Sequence, residues 1–172
     1  MLDSKEFIKL LDKKNYDYDL HEHRALFTVE DSQKLRGKIK GSHSKNLFLK
    51  NKKNKFFLIS CEEFTLINLK KIAKSLNLGN VSFAKEEFLL EMLGIKPGSV
   101  TPFALLNDAE SKITFYLEDK LHDSELVNFH PLTNTTTITM KSNKFIEFMI
   151  ENNKKIHIFS SAEGVVIKTY EP

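Results

Sequence analysis

The sequence predicts an α/β chain of the α+β type, with a mixed, largely antiparallel sheet flanked by helices. Three observations lead there. Short apolar runs of strand length outnumber segments with helical spacing. Several of these runs follow one another across turns short enough for hairpins. The helical segments interrupt the series instead of alternating one for one with strands, as a doubly wound fold requires. At 172 residues, a single domain spanning 1–172 is expected, long enough for a proper core. The 41% hydrophobic and 28% charged residues are ordinary for a globular chain, and 14 phenylalanines without a tryptophan predict a Phe-rich core.

The elements follow in order. Ser4 is placed to cap a first helix with Phe7, Leu10 and Leu11 on one face and Asn15 near its end. Tyr16, Tyr18 and Leu20 alternate with Asp17, Asp19 and His21, a half-buried strand. Thr28 ends a short apolar step, Ala25-Leu26-Phe27. Gly37 and Gly41 break the next stretch, leaving Gly41 to Ser44 as a turn into a strand, Lys45 to Leu49. Asn51 to Asn54 reads as a polar turn, and Phe56 to Ile59 returns as a buried strand.

Leu66, Leu69, Ile72, Ala73 and Leu76 have helical spacing, with Gly79 as the stop. Val81-Ser82-Phe83 is a short strand, and Phe88, Leu89, Met92 and Leu93 form a helix closed by Gly94. Strands are expected at Phe103–Leu106, Ile113–Leu117 and Leu126–Phe129. Ser142 is placed to cap a helix bearing Phe145, Ile146, Phe148 and Met149. Ile156–Phe159 and Val165–Lys168 close the chain as strands.

The net charge of +3 is unevenly spread. From Lys34 to Lys55 there are nine cations (Lys34, Arg36, Lys38, Lys40, Lys45, Lys50, Lys52, Lys53, Lys55) and no acid, while the rest of the chain is net acidic. A basic segment on an acidic body points to a polyanion, nucleic acid first, against the plainer alternative of a solubilising hairpin. Cys61 is the only cysteine, which excludes an internal disulfide and a cysteine-based metal cluster and fits a reducing, cytoplasmic setting. Met1 to Glu6 lacks the apolar core of a signal peptide, and no apolar run approaches membrane-span length.

The usual catalytic signatures are missing: no nucleophile elbow, no phosphate-binding or dinucleotide glycine motif, no His-Glu-x-x-His. His21 and His23 would share one strand face as a metal pair, but no third ligand presents itself and two close histidines are more often structural. Cys61 abuts an apolar strand and reads as an inert buried thiol.

Three features remain. Phe129-His130-Pro131-Leu132-Thr133-Asn134-Thr135-Thr136-Thr137 reads as a strand end, a turn at Pro131 to Asn134 and a second strand, with His130 at the mouth. A solvated loop with locally satisfied His and Thr is the bland alternative. Lys45 lies behind a small-residue turn in the centre of the basic segment. Gly98-Ser99-Val100-Thr101-Pro102 is a Gly-x-x-x-Pro loop whose glycine permits close backbone approach to a ligand.

Lys45-Asn46-Leu47-Phe48-Leu49, Lys96-Pro97-Gly98-Ser99-Val100-Thr101-Pro102-Phe103, Leu106-Asn107-Asp108 and Phe129-His130-Pro131-Leu132-Thr133-Asn134 resemble, in order and spacing, the YbaK/prolyl-tRNA-synthetase-associated editing domains. The resemblance runs from about Tyr16 to Ser160 and is strongest to the free-standing ProXp-ala (PrdX-like) alanyl-tRNA(Pro) deacylases. It implies a β-barrel-like sheet, no metal or other cofactor, no membrane, and hydrolysis of the ester joining a wrong amino acid to tRNA. Aminoacylated tRNA(Pro) is the implied partner, with prolyl-tRNA synthetase as a transient one.

Residue by residue, Lys45 matches the family lysine, Gly98 to Pro102 its loop, His130 its pocket histidine and Thr28 a family threonine. The chain departs from the family at His23-Arg24-Ala25, where a proline is expected. The roles implied are a phosphate clamp at Lys45, carbonyl-holding donors at Gly98, Ser99 and Thr101, and an orienting imidazole at His130. Thr28, Asn46, Val100, Pro102, Phe129 and Thr133 are the expected substrate contacts, and Lys50, Lys52 and Lys53 the expected tRNA contacts. The reaction is thought to borrow a hydroxyl of the terminal ribose, which accounts for the missing triad. A non-catalytic tRNA-binding module, or a deacylase for cysteine or serine, stays open as an alternative.

Overall fold

The computed structural model describes residues 1–25, 30–31, 34 and 39–172; Thr28, Arg36 and Lys38 lie outside them. Helix α1 (Ser4–Lys13) opens the chain. Asp3, not Ser4, caps it. Its carboxylate accepts from the Glu6 N–H while the Glu6 carboxylate accepts from the Asp3 N–H, a reciprocal pair that a serine one residue later cannot make. Strand β1 (Asp19–Glu22) follows, then β2 (Ser42–Asn51) and β3 (Phe56–Glu62). Gly41 belongs to no turn into Lys45, because β2 already starts at Ser42. Gly41 has φ +93°, and a Cβ on it would meet the Leu126 Cβ at 2.8 Å, so only glycine lets β2 approach its neighbour here.

Helix α2 (Leu69–Ser75) is capped by the Asn68 side chain. It ends at Ser75, and Asn77 just beyond takes the left-handed conformation (φ 56°) two residues before the expected stop at Gly79. Strand β4 (Val81–Phe83) and α3 (Glu86–Phe88) come next, α3 running into a π-helical turn, Leu89–Leu93, closed by left-handed Gly94. The expected strand at Phe103–Leu106 is a 3-10 helix, Pro102–Asn107, with Pro102 in its first turn and the Thr101 hydroxyl at its cap.

Strand β5 (Ile113–Glu118), α4 (Asp119–His122), β6 (Leu126–Phe129), β7 (Thr136–Lys141), α5 (Ser142–Glu151), β8 (Ile156–Phe159) and β9 (Val166–Tyr170) complete the chain. Ser142 starts α5 but does not cap it; its hydroxyl donates to the Leu121 and His122 carbonyls instead.

The strand order is β1-β7-β6-β2-β3-β5-β8-β9, with β4 on β2. Five of the pairings are antiparallel; β2–β6, β3–β5 and β5–β8 are parallel. The sheet is therefore mixed and largely antiparallel, flanked by helices. One face of it carries the larger core, where Phe103 sits among Phe7, Phe129, Phe145 and Phe148 at centroid distances of 4.5 to 6.0 Å. A smaller core of Leu49, Phe57, Ile59, Cys61 and Tyr116 lies under Ile72 and Ala73 of α2. No described helix is long and apolar enough to cross a membrane.

Candidate active site

Strand parity decides which side chains can meet. On β6 and β7, Val127, Phe129, Ile138 and Met140 enter the larger core, so Asn128, His130, Thr137 and Thr139 stand on the opposite face. There Thr139 donates to the Asn128 Oδ1, and the Asn128 amide donates to the Lys40 carbonyl at 2.8 Å. His23, just past β1, joins this face: its Nε2 lies 2.9 Å from the Thr137 hydroxyl, and its Nδ1 is 2.9 Å from the Arg24 carbonyl. Both ring nitrogens of His23 are thus engaged within the protein. Among the described residues no group of three His, Cys, Asp or Glu side chains is arranged to hold a metal ion.

His130 lies at the end of β6, its ring 6.1 Å from that of His23. Its Nδ1 donates to the Thr136 carbonyl at 2.9 Å, which leaves Nε2 as the nitrogen with a free lone pair. Burial lowers its pKa below the ordinary imidazole value of 6.5; the Thr136 bond opposes that, and His23 and His43 add to it. His130 is therefore neutral at neutral pH. The sequence reading missed His43, whose ring faces the Ile39 carbonyl at 3.3 Å, because these histidines come from three distant stretches of the chain. It also missed Thr136, whose hydroxyl is buried beside the His130 anchor without a hydrogen-bond partner among the described residues.

Lys45 sits half-buried on β2, opposite Cys61 in β3. Its ammonium donates to the Thr65 carbonyl. The loop that carries Thr65 is fixed by Glu118, a fully buried carboxylate that accepts from the Glu62 N–H at 2.6 Å and from the Thr65 hydroxyl at 2.7 Å. Lys120 stands 4.0 Å from the same carboxylate. Burial, followed by the charge of Glu118, pushes the Cys61 thiol up to about 12, so the expected inert thiol is what this strand holds.

Replacing Glu118 by Gln keeps the shape but turns an amide donor towards groups that must donate. Glu118→Gln should cost about 1–3 kcal/mol in chemical denaturation. Unchanged stability would mean that the loop does not depend on this carboxylate.

Asn46 points to the other face, towards the larger core. Its Oδ1 accepts from Ser60 at 2.6 Å and its amide donates to the Ser44 hydroxyl at 3.3 Å, which in turn donates to the Asn128 carbonyl at 2.9 Å. In the Gly98–Pro102 loop Gly98 has φ +86° and is exposed, whereas Ser99, Thr101 and Pro102 are buried. The Ser99 N–H is spent on the Lys96 carbonyl at 3.1 Å, and the Thr101 hydroxyl accepts from Phe103 N–H, so Gly98, Val100 and Thr101 N–H are the loop's remaining candidate donors.

The bonds that hold this loop do not run to Lys45 or His130. What couples it to the His130 segment is packing: Phe103 follows Pro102, Phe129 precedes His130, and the two rings meet edge to face at 5.7 Å. Phe129 itself is in the core, 2% exposed, and Thr133 bonds its neighbour Thr135 at 3.2 Å. Lys50 leans over the Phe88 ring at 4.9 Å, apart from Lys52 and Lys53, which are exposed at the hairpin turn.

Known proteins share this sequence pattern and this fold. The sequence profile described as the aminoacyl-tRNA editing domain matches residues 23–148. The chain is 41% identical over 133 residues to the prolyl-tRNA synthetase associated domain-containing protein 1 of Xenopus laevis, covering 74% of this chain and 79% of that one. It is 29% identical over 141 residues to the prolyl-tRNA editing protein ProX of Acetoanaerobium sticklandii, covering 81% and 86%. A crystal structure assigned provisionally as a trans-editing enzyme for prolyl-tRNA synthetase shares the fold with a TM-score of 0.65 at 17% identity, over 89% of this chain and 94% of that one.

Proposed function

Because the chain belongs to the aminoacyl-tRNA editing domain family, we propose that it hydrolyses the ester of a mischarged aminoacyl-tRNA in trans, with alanyl-tRNA(Pro) as its substrate and prolyl-tRNA synthetase as a transient partner. The observation that supports this best is the His130 anchor. A half-buried, neutral imidazole whose Nδ1 is tied to a backbone carbonyl offers one fixed lone pair at Nε2, and a carboxylate to raise its basicity is not what holds it.

Such a group orients a substrate amine, a ribose hydroxyl or a water. An aminoacyl ester is already activated, so positioning and carbonyl polarisation supply most of what the reaction needs. The water oxygen bonds to the carbonyl carbon, the ester C–O bond breaks, and the proton ends on the ribose oxygen. Free alanine and uncharged tRNA leave. Lys45 clamps the terminal phosphate, Gly98, Val100 and Thr101 N–H groups hold the carbonyl, and a ribose hydroxyl guides the water. Exclusion of the larger prolyl side chain by pocket size provides the selectivity, since binding alone separates single methylenes by only ~1–3 kcal/mol.

Purified protein should release label from alanyl-tRNA(Pro) and leave prolyl-tRNA(Pro) intact. Seryl- and cysteinyl-tRNA in the same assay fix which small residue is accepted. Tight tRNA binding with no turnover on any of them would make the chain a binding module.

His130→Ala should lower single-turnover rates ~10-fold to 100-fold, evenly from pH 6.5 to 8.5 once spontaneous hydrolysis is subtracted. A wild-type step near pH 6.5 that only this variant loses would instead make His130 a general base. The lowered pKa has a sign for stability too. The folded state disfavours the protonated imidazole, so the contribution of His130 is complete above about pH 6.5 and declines as pH falls below it.

A further inference from the structure

The hairpin turn between β2 and β3 and helix α2 belong to two different stretches of sequence with the same property. Lys34 to Lys55 contains no acid, and neither does Phe64 to Lys85, which carries Lys70, Lys71, Lys74 and Lys85. The fold brings the two together. One cavity is lined by Lys52, Lys53 and Lys55, and a second, sharing Lys52, Asn77, Gly79 and Asn80 with the first, is lined by Lys70 and Lys74. These five lysines are exposed, and among the described residues the lysines with a carboxylate partner are others: Lys14, Lys112, Lys120, Lys144 and Lys155.

The backing is rigid. Asn51 accepts from the Lys53 and Lys55 N–H groups and donates to the Leu78 carbonyl, tying the hairpin turn to the loop after α2. Ile72 and Ala73 are buried, which turns Lys70, Lys71 and Lys74 outwards. The loop holding Lys45 leads directly into α2, and the hairpin turn lies six residues along β2 from Lys45, roughly 20 Å.

We propose that this two-walled basic groove binds the phosphate backbone of the tRNA acceptor stem, as a track leading away from the Lys45 end of the site. The proposal rests on the tRNA-deacylase reading for its ligand, and on the groove alone for its location. A ladder of ammonium groups with no carboxylate partner among the described residues suits, on a fixed surface, a sequence-independent polyanion partner, whose signature is counterion release.

The test is fluorescence-anisotropy titration of an uncharged acceptor-stem hairpin RNA against wild type and the Lys70→Ala/Lys74→Ala double variant, from 50 to 250 mM salt. Binding of uncharged RNA is read without turnover, so it stands or falls separately from deacylase activity. The double variant, with its thermal midpoint kept, should bind at least tenfold more weakly at low salt. Its log–log salt slope should flatten by about 0.7–0.9 for each phosphate that the variant no longer neutralises. Equal affinity and slope would overturn the proposal, and binding of an acidic protein surface, abolished in the same variant while RNA binding persists, would overturn it in favour of a protein partner.

Discussion

Lys45→Ala should reduce single-turnover deacylation by well over tenfold, more than ~1.4 kcal/mol of transition-state stabilisation. The side chain is half-buried on a strand paired along its length to β3, and its ammonium already has a carbonyl acceptor at Thr65. It is therefore held in position before substrate arrives. An ammonium so placed adds a phosphate oxygen to its coordination with little further loss of side-chain freedom, which is how a point charge serves as a clamp. Removing it takes away both the charge and the tie to the Glu62–Thr65 loop. Lys45→Arg separates the two effects: the charge stays, but a planar fork replaces a compact ammonium, so partial activity is expected. A Lys45→Ala enzyme at full strength would end the phosphate-clamp assignment, whatever the other variants do.

Phe103→Ala should destabilise the protein by about 3–5 kcal/mol, as truncating a fully buried aromatic does. At about 2–4 °C per kcal/mol for a domain of this length, the thermal midpoint falls by roughly 6–20 °C. The ring is completely buried and touches four other phenylalanine rings, contributed by α1, β6 and α5. Those elements span most of the sequence, so the hole cannot be closed by moving one of them. The same truncation loosens Pro102 against Phe129, and activity should fall further than the folded fraction explains. A loss under 1 kcal/mol would mean that the core repacks around the gap.

The sequence is most informative where one physical signal dominates. The β2–β3 hairpin is legible because Lys45 to Leu49 and Phe56 to Ile59 are strand-like runs around an Asn-rich turn, and the structure closes that turn with the Asn51 side chain. Phe103 to Leu106 misleads because an apolar run reads equally as strand or buried helix; the preceding Thr101-Pro102 pair was the cue to a helical start. Lys45 and the His130 segment were visible as local peculiarities. Glu118 was not, since an acid at the end of an apolar strand gives no sign of burial until Glu62 and Thr65 close over it. Nor was His43, which matters only through residues far away in sequence, nor the part played by Thr136, whose carbonyl meets His130 only once the turn between β6 and β7 has closed.

Strand β2 has neighbours along both edges: β3 on one, and β6 followed by β4 on the other. Its partners arise immediately after it, some thirty residues later, and more than eighty residues later. The chain must close a long loop before the strand at its centre is fully paired, and such non-local pairing slows folding. It also joins the two halves of the sheet into one cooperative unit, because neither half keeps its inner boundary without β2. The amide protons of Leu47, Phe48 and Leu49 should consequently exchange with solvent only when the whole molecule opens.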